Sequence, residues 1–182
     1  MTINAVFVKH NSVVRREKMI ACAFTGHRKI EERHKASLDG ILMRAINYAY
    51  AEGCREFYVG GALGFDTAAA KQIILFRLQH RDVKLRVVIP CKNQSDKWSQ
   101  GQIRLYEYIL ANADSVEYVS DEYTSTCMRL RNQRLVDLSD MLIAYVSRDF
   151  SGSAQTVRMA EKGGKPVYNL YNALDSELKR KQ

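Results

Sequence analysis

The stretch YVGGALGFDTAAAKQI places Gly60, Gly61 and Gly64 just ahead of Asp66. Glycine tolerates positive φ and lets a backbone approach closely. The helix expected next offers unpaired N–H groups and the positive end of its dipole. This loop could line a ligand, or it could be a tight strand-to-helix turn. It is neither the GxGxxG dinucleotide fingerprint nor the GxxxxGK[ST] phosphate loop. Asp66 also has two readings. As an N-cap it would satisfy the amides itself. Turned into a pocket, it would accept ribose hydroxyls or hold a water. A carboxylate is a poor neighbour for phosphate, so the loop suits a sugar or base edge better than a charge.

Three further groups carry candidate chemistry. In TGHR, Thr25 and Gly26 offer a hydroxyl and a tight turn. His27 can bond a base or titrate near neutral pH, and Arg28 suits a bidentate hold on phosphate. On a helical wheel Cys127, Met128, Leu135 and Leu138 share a face with Arg131 in its middle. A charge there must be paired or bind an anion. Asp140 is the candidate structural partner, and Asn132 at the stripe's edge could donate to a polar ligand. In SGSAQT, Ser151, Gly152, Ser153 and Thr156 offer hydroxyls and amides at a helix start, suited to phosphate or ribose, or to an ordinary cap. Ser151 lacks the GxSxG setting of an acyl-transfer nucleophile. Trp98 could stack on a base or anchor its loop. The four histidines form no metal-binding motif. Cys22, Cys54, Cys91 and Cys127 include no CxxC pair and read as buried free thiols.

These loops need strands and helices to position them. MIACAF (19–24), REFYVG (55–60), KLRVVIP (84–90), SVEYVS (115–120), MLIAYV (141–146) and KPVYNLY (165–171) read as strands, the last at an edge. Apolar spacing predicts helices over 34–52, 66–79 and 99–112. A fourth, with a Thr or Ser cap, is expected within 123–140, and a fifth ends at Gly163 and Gly164. Strands alternating with amphipathic helices predict an α/β fold, one Rossmann-like three-layer domain with a mostly parallel sheet. Ligands in such sheets gather at the C-terminal ends of the strands, where strand order reverses.

The chain has 182 residues, enough for one core, and 46% of them are apolar. The expected organisation is an N-terminal extension (1–18), one domain (19–171) and a basic C-terminal tail (172–182). AVFV in the extension could add a strand to a sheet edge or a partner. Lys plus Arg number 28 against 20 Asp plus Glu, a net charge of +8. This could serve nucleic acid or phosphorylated ligands, but much of it sits in the terminal VKHNSVVRREK and ELKRKQ, so a solvated surface is the plainer reading. No apolar stretch reaches the roughly 18 residues of a membrane span, and no secretory h-region is evident. A cytoplasmic protein is expected, with no metal or assured cofactor. A homodimer is compatible with this fold class, though no seam is marked.

FTGHR, VGGALGFDTAAA, RNQRLVDLSDMLIAY and SGSAQT, in that order, resemble the bacterial DUF1273 or YpsA-like family of the SLOG superfamily. Its relatives include the LOG lysine-decarboxylase-like proteins and the DNA-processing protein DprA. The resemblance covers residues 19–171. It implies a Rossmann-like fold and a pocket for a nucleotide or nucleotide-derived ligand, formed by Thr25, Gly26, Arg28, Gly60, Gly61, Gly64, Asp66, Arg131, Asn132, Asp140, Ser151, Gly152, Ser153 and Thr156. LOG enzymes, which cleave an N-glycosidic bond, carry PGGxGTxxE. Here the turn is SGSAQTVRM, with Met159 in place of the glutamate and Glu161 two residues on. Nucleotide binding, compatible with a sensor role, is therefore expected ahead of hydrolysis with Asp66 as the acid, or a DprA-like association with nucleic acid.

Overall fold

The computed structural model describes residues 20–147 and 150–179. The expected N-terminal extension, AVFV included, lies outside the described residues. Six strands alternate with six helices: β1 (Ala21–Gly26), α1 (Glu32–Ala51), β2 (Glu56–Val59), α2 (Phe65–Phe76), β3 (Lys84–Ile89), α3 (Gln100–Ala111), β4 (Ser115–Tyr118), α4 (Cys127–Asp137), β5 (Met141–Tyr145), α5 (Gly152–Lys162), β6 (Val167–Asn169) and α6 (Leu170–Lys179). The apolar stripe of α1 is buried along Leu38, Ile41, Leu42, Ala45, Ile46 and Ala49. Ser99 opens α3 with a reciprocal capping box to Gln102.

Two local expectations change. Thr126 stands at the N-cap of α4 with an αR backbone, and its side chain makes no cap hydrogen bond. The stretch expected to be a basic tail is helical as far as Lys179. Leu170, Ala173 and Leu174 bury one side of α6, and its charged residues Asp175, Glu177 and Lys179 cluster in its second half.

All strand pairs are parallel, in the order β4-β3-β2-β1-β5-β6. Helices cover both faces. Phe24, Phe57, Leu85 and Ile143 point into the larger core with α1, α2 and α6. Ala23, Tyr58 and Leu142 face Leu135 of α4 and Ala160 of α5. This is the Rossmann-like three-layer arrangement, and it explains why β1 and β5 are apolar along both sides. No helix among the described residues is long and apolar enough to cross a membrane.

Asp140 does not pair with Arg131. Its Oδ2 accepts the backbone N–H groups of Ile20 and Ala21 at 2.8 and 2.9 Å, at the start of β1. The aspartate precedes β5, so the parallel register sets it at the end of the sheet opposite the rim where Arg131 sits.

A polar ladder crosses β2, β3 and β4, where Tyr58, Arg86 and Ser115 lie side by side. Arg86 grips Glu56 through two bonds of 2.8 and 2.9 Å. Tyr58 donates to the same carboxylate at 2.8 Å. The Arg86 guanidinium holds Glu56 below its usual range, with burial opposing. A lowered carboxylate pKa stabilises the fold above the unfolded pKa and stops doing so as pH falls through the folded one. We expect Glu56→Gln to cost about 1 kcal/mol at pH 7, after allowing for solvent screening. That cost should shrink as the pH falls below about 4.5. Urea titrations across pH 3–7 measure it, and a pH-independent cost would disprove this account.

Candidate functional site

The sheet order reverses between β1 and β5. Gly26 lies opposite Tyr145 in register, so both strands end at one level. Parallel strands joined by helices bring the helix N-termini to the same rim. Three expected loops and helix α4 meet here. Ser153 Oγ donates to the Gly26 carbonyl at 2.8 Å. The Ser147 amide donates to His27 Nε2 at 2.8 Å, which leaves the proton of a neutral ring on Nδ1. Phe65 N–H donates to the His27 carbonyl at 3.2 Å. Asn132 Nδ2 donates to the Gly152 carbonyl at 3.3 Å, tying α4 to the start of α5.

The glycines make room for the protein itself. A Cβ on Gly60 would overlap the Arg131 guanidinium and the Asp66 carboxylate. One on Gly64 would strike the carbonyls of His27 and Arg28, and its φ of 83° is disfavoured for other residues. Gly26 leaves space for the Phe65 ring, which stacks on Tyr145 with centroids 5.6 Å apart. The glycine loop therefore packs directly onto the β1–α1 loop.

Asp66 and Arg131 lie behind this contact, 5% and 8% exposed. Asp66 is within the first turn of α2, and Gly64 takes the N-cap position. Its Oδ2 is 3.7 Å from Arg131 Nη1 and accepts a long bond from Ala62 N–H at 3.4 Å. Arg131 also donates to the Gly60 carbonyl, and through Nε to Asn132 Oδ1 at 2.8 Å. Burial pushes the Asp66 carboxyl above its usual range, and the Arg131 cation opposes that shift. Burial likewise lowers the guanidinium pKa, opposed by Asp66.

The sequence profile of the YspA SLOG family matches residues 22–172. The chain belongs to that family. A UPF0398 protein of Bacillus cereus (strain G9842) is 30% identical over 141 residues, covering 75% of this chain and 77% of its own. Among solved structures, DNA processing protein A (DprA) from Streptococcus pneumoniae superposes with a TM-score of 0.60 at 23% identity. The match covers 82% of this chain and 50% of that one, so this SLOG chain spans half its length. DprA from Helicobacter pylori gives a TM-score of 0.59 at 18% identity, over 88% of this chain and 81% of that one. At these identities the likeness is one of fold.

Thr25 and Thr156 are buried, and Thr156 donates to the Gly152 carbonyl at 2.9 Å. Ser151 is the N-cap of α5, with Oγ accepting from Ala154 N–H at 3.0 Å. Gly61 adopts φ 62° and lies against Val87. Trp98 packs edge-on to Tyr106 and so anchors its loop. Met159 and the exposed Glu161 lie towards the C-terminal end of α5, away from the rim. Arg28 is exposed and makes no ion pair among the described residues. An open concavity of about 730 Å³ lies against it, bounded also by Lys29, Glu31 and Arg33. The four cysteines are buried thiols. Among the described residues no three metal-ligating side chains cluster.

One network escaped the sequence reading. His34 is fully buried, between Tyr145 OH at 2.8 Å from Nδ1 and Asp175 Oδ1 at 3.0 Å from Nε2. Asp175 can only accept when ionised, which sets the ring proton on Nε2. Nδ1 then accepts from Tyr145, whose oxygen accepts Glu31 N–H at 3.2 Å. Tyr171 donates to Glu31 at 2.6 Å, and Arg33 reaches both Glu31 and Tyr171. Helix α6 thus braces the β1–α1 loop. The clue was present: His34 stands four residues before Leu38, on the apolar stripe of α1.

Breaking a buried pair leaves an uncompensated charge. We expect Arg131→Met to cost ~3–5 kcal/mol at pH 7. Without the cation the Asp66 pKa rises further, and a raised carboxylate pKa favours the fold at low pH and loses that effect as pH rises through it. The cost should therefore fall on acidification, and Asp66→Asn in the same chain should recover part of it at pH 7. Denaturant unfolding of both variants at pH 5 and pH 7 measures this. An additive double variant would show that the two residues do not interact.

Proposed function

We propose that this protein binds a nucleotide unit at the rim between β1 and β5, and that a nucleic acid is the leading source of that unit. The observation that carries this is Arg28, exposed and without an ion pair among the described residues, on the loop that Ser153 ties to the start of α5. The Ser151 cap serves Ala154, and the geometry of a helix start leaves the amides of Gly152 and Ser153 without intrahelical acceptors. A guanidinium next to a helix N-terminus attracts phosphate through both charge and directed donors. Asp66, Arg131 and Asn132 bond chiefly to one another and to the loop backbones. Their part in this reading is to hold the rim in shape.

DprA from Helicobacter pylori, which shares this fold, binds single-stranded DNA. Together with the net charge of +8 this supports nucleic acid over a free mononucleotide. A second reading, hydrolysis of a nucleotide at its glycosidic bond, draws on one observation. The buried Asp66 carboxyl has a raised pKa, as a general acid requires.

Fluorescence anisotropy with labelled AMP, ADP and short oligonucleotides tests the proposal. Arg28→Ala should weaken whichever probe binds by about 10- to 100-fold, the loss expected for a charge-assisted hydrogen bond. Its unfolding midpoint should hold, since Arg28 supports no other group. If the wild-type protein binds none of these probes, the proposal fails. Release of free base from a bound nucleotide would favour the hydrolase reading, and an intact ligand would count against it.

A further inference from the structure

Phe150 is 96% exposed, the most exposed of the large apolar side chains in the described structure. It is fixed at its C-terminal side, because Ser151 is extended and caps α5 through a 3.0 Å bond. An aromatic ring held in water next to an ordered helix start has no role in the core.

The elements tied to that helix start carry exposed cations. Arg28 and Lys29 stand exposed on the β1–α1 loop, which Ser153 ties to the same helix start. On α4, Asn132 bonds the Gly152 carbonyl, and Arg129 lies three residues earlier on that stripe. Arg129 is exposed and, like Arg28, makes no ion pair among the described residues. The two elements tied to the start of α5, just behind Phe150, thus each carry an exposed guanidinium without an ion pair among the described residues.

We propose that Phe150 is a stacking platform for an unpaired base of single-stranded nucleic acid, with Arg28 and Arg129 meeting phosphates on either side. A projecting ring can stack on a splayed base, whereas the bases of a duplex are already stacked on each other. Cations on two separate elements tied to the same helix start complement a strand that continues past it, and a mononucleotide would use only one. This inference rests on the nucleotide-binding reading of the rim and commits it to one source.

The test is anisotropy with fluorescein-labelled oligothymidylate of 20 residues, a duplex of the same length, and thymidine monophosphate as competitor. The single strand should bind more tightly than the duplex. Phe150→Ala should weaken it by about 5- to 100-fold, and Phe150→Trp should restore it. Arg129→Ala should reduce the slope of log affinity against log salt by about 0.7. Unchanged affinity in Phe150→Ala, or a duplex preference, would overturn the inference. So would sedimentation showing that Phe150→Ala dissolves a dimer while strand binding persists, because a second copy would then cover the ring. Binding of thymidine monophosphate through Arg28, without oligothymidylate binding, would overturn the inference and leave the rim reading standing. No binding of either would remove both.

Discussion

The buried guanidinium of Arg131 is the constraint on which the rim depends. It comes from α4, on one face of the sheet, and meets the Gly60 carbonyl at the end of β2 and the Asp66 carboxylate of α2, on the other face. A charge this deep is tolerated only when its donors are matched. The matching groups fix the direction of the glycine loop, and that loop in turn packs on the backbone of His27 and Arg28. Moving any of these groups disturbs the others, so the rim behaves as one piece.

Two kinds of group are therefore found together at the strand ends. The buried ones, Asp66, Arg131, Asn132 and Thr156, are engaged within the protein. The outward ones, Arg28, Lys29 and Arg129, have no matched anion among the described residues. This division favours recognition of an external anion by the outer groups over chemistry by the inner ones. It also separates the chain from the LOG pattern, whose glutamate position is occupied by Met159, well down α5 from the rim.

Much of the frame could be read in the sequence. The alternation of β-branched runs with apolar stripes gave a parallel sheet, and the reversal rule pointed to the loops that meet at the rim. Arg131 stood out because a charge interrupts an apolar face. His34 interrupts a similar face on α1, but a histidine is ambiguous there, and its partners Tyr145 and Asp175 are more than a hundred residues away. The glycines showed that something approaches closely without showing what. In Gly26, Gly60 and Gly64 the approaching groups belong to the protein. Asp140 was misassigned because sequence proximity to Arg131 says nothing about which end of the sheet a residue occupies. Helix α6 was missed because its buried side is short and the basic ELKRKQ stretch at its end reads as a tail.

The bond between His34 and Asp175 joins residues separated by 141 positions. During synthesis the chain leaves the ribosome from its N-terminus, and domains form as their segments emerge. The sheet centre, β1 with β2, can assemble early. The brace behind the β1–α1 loop cannot, because it waits for α6, which follows all six strands. The rim is thus braced only after every strand of the sheet has been made, which delays its final shape until the sheet can support it.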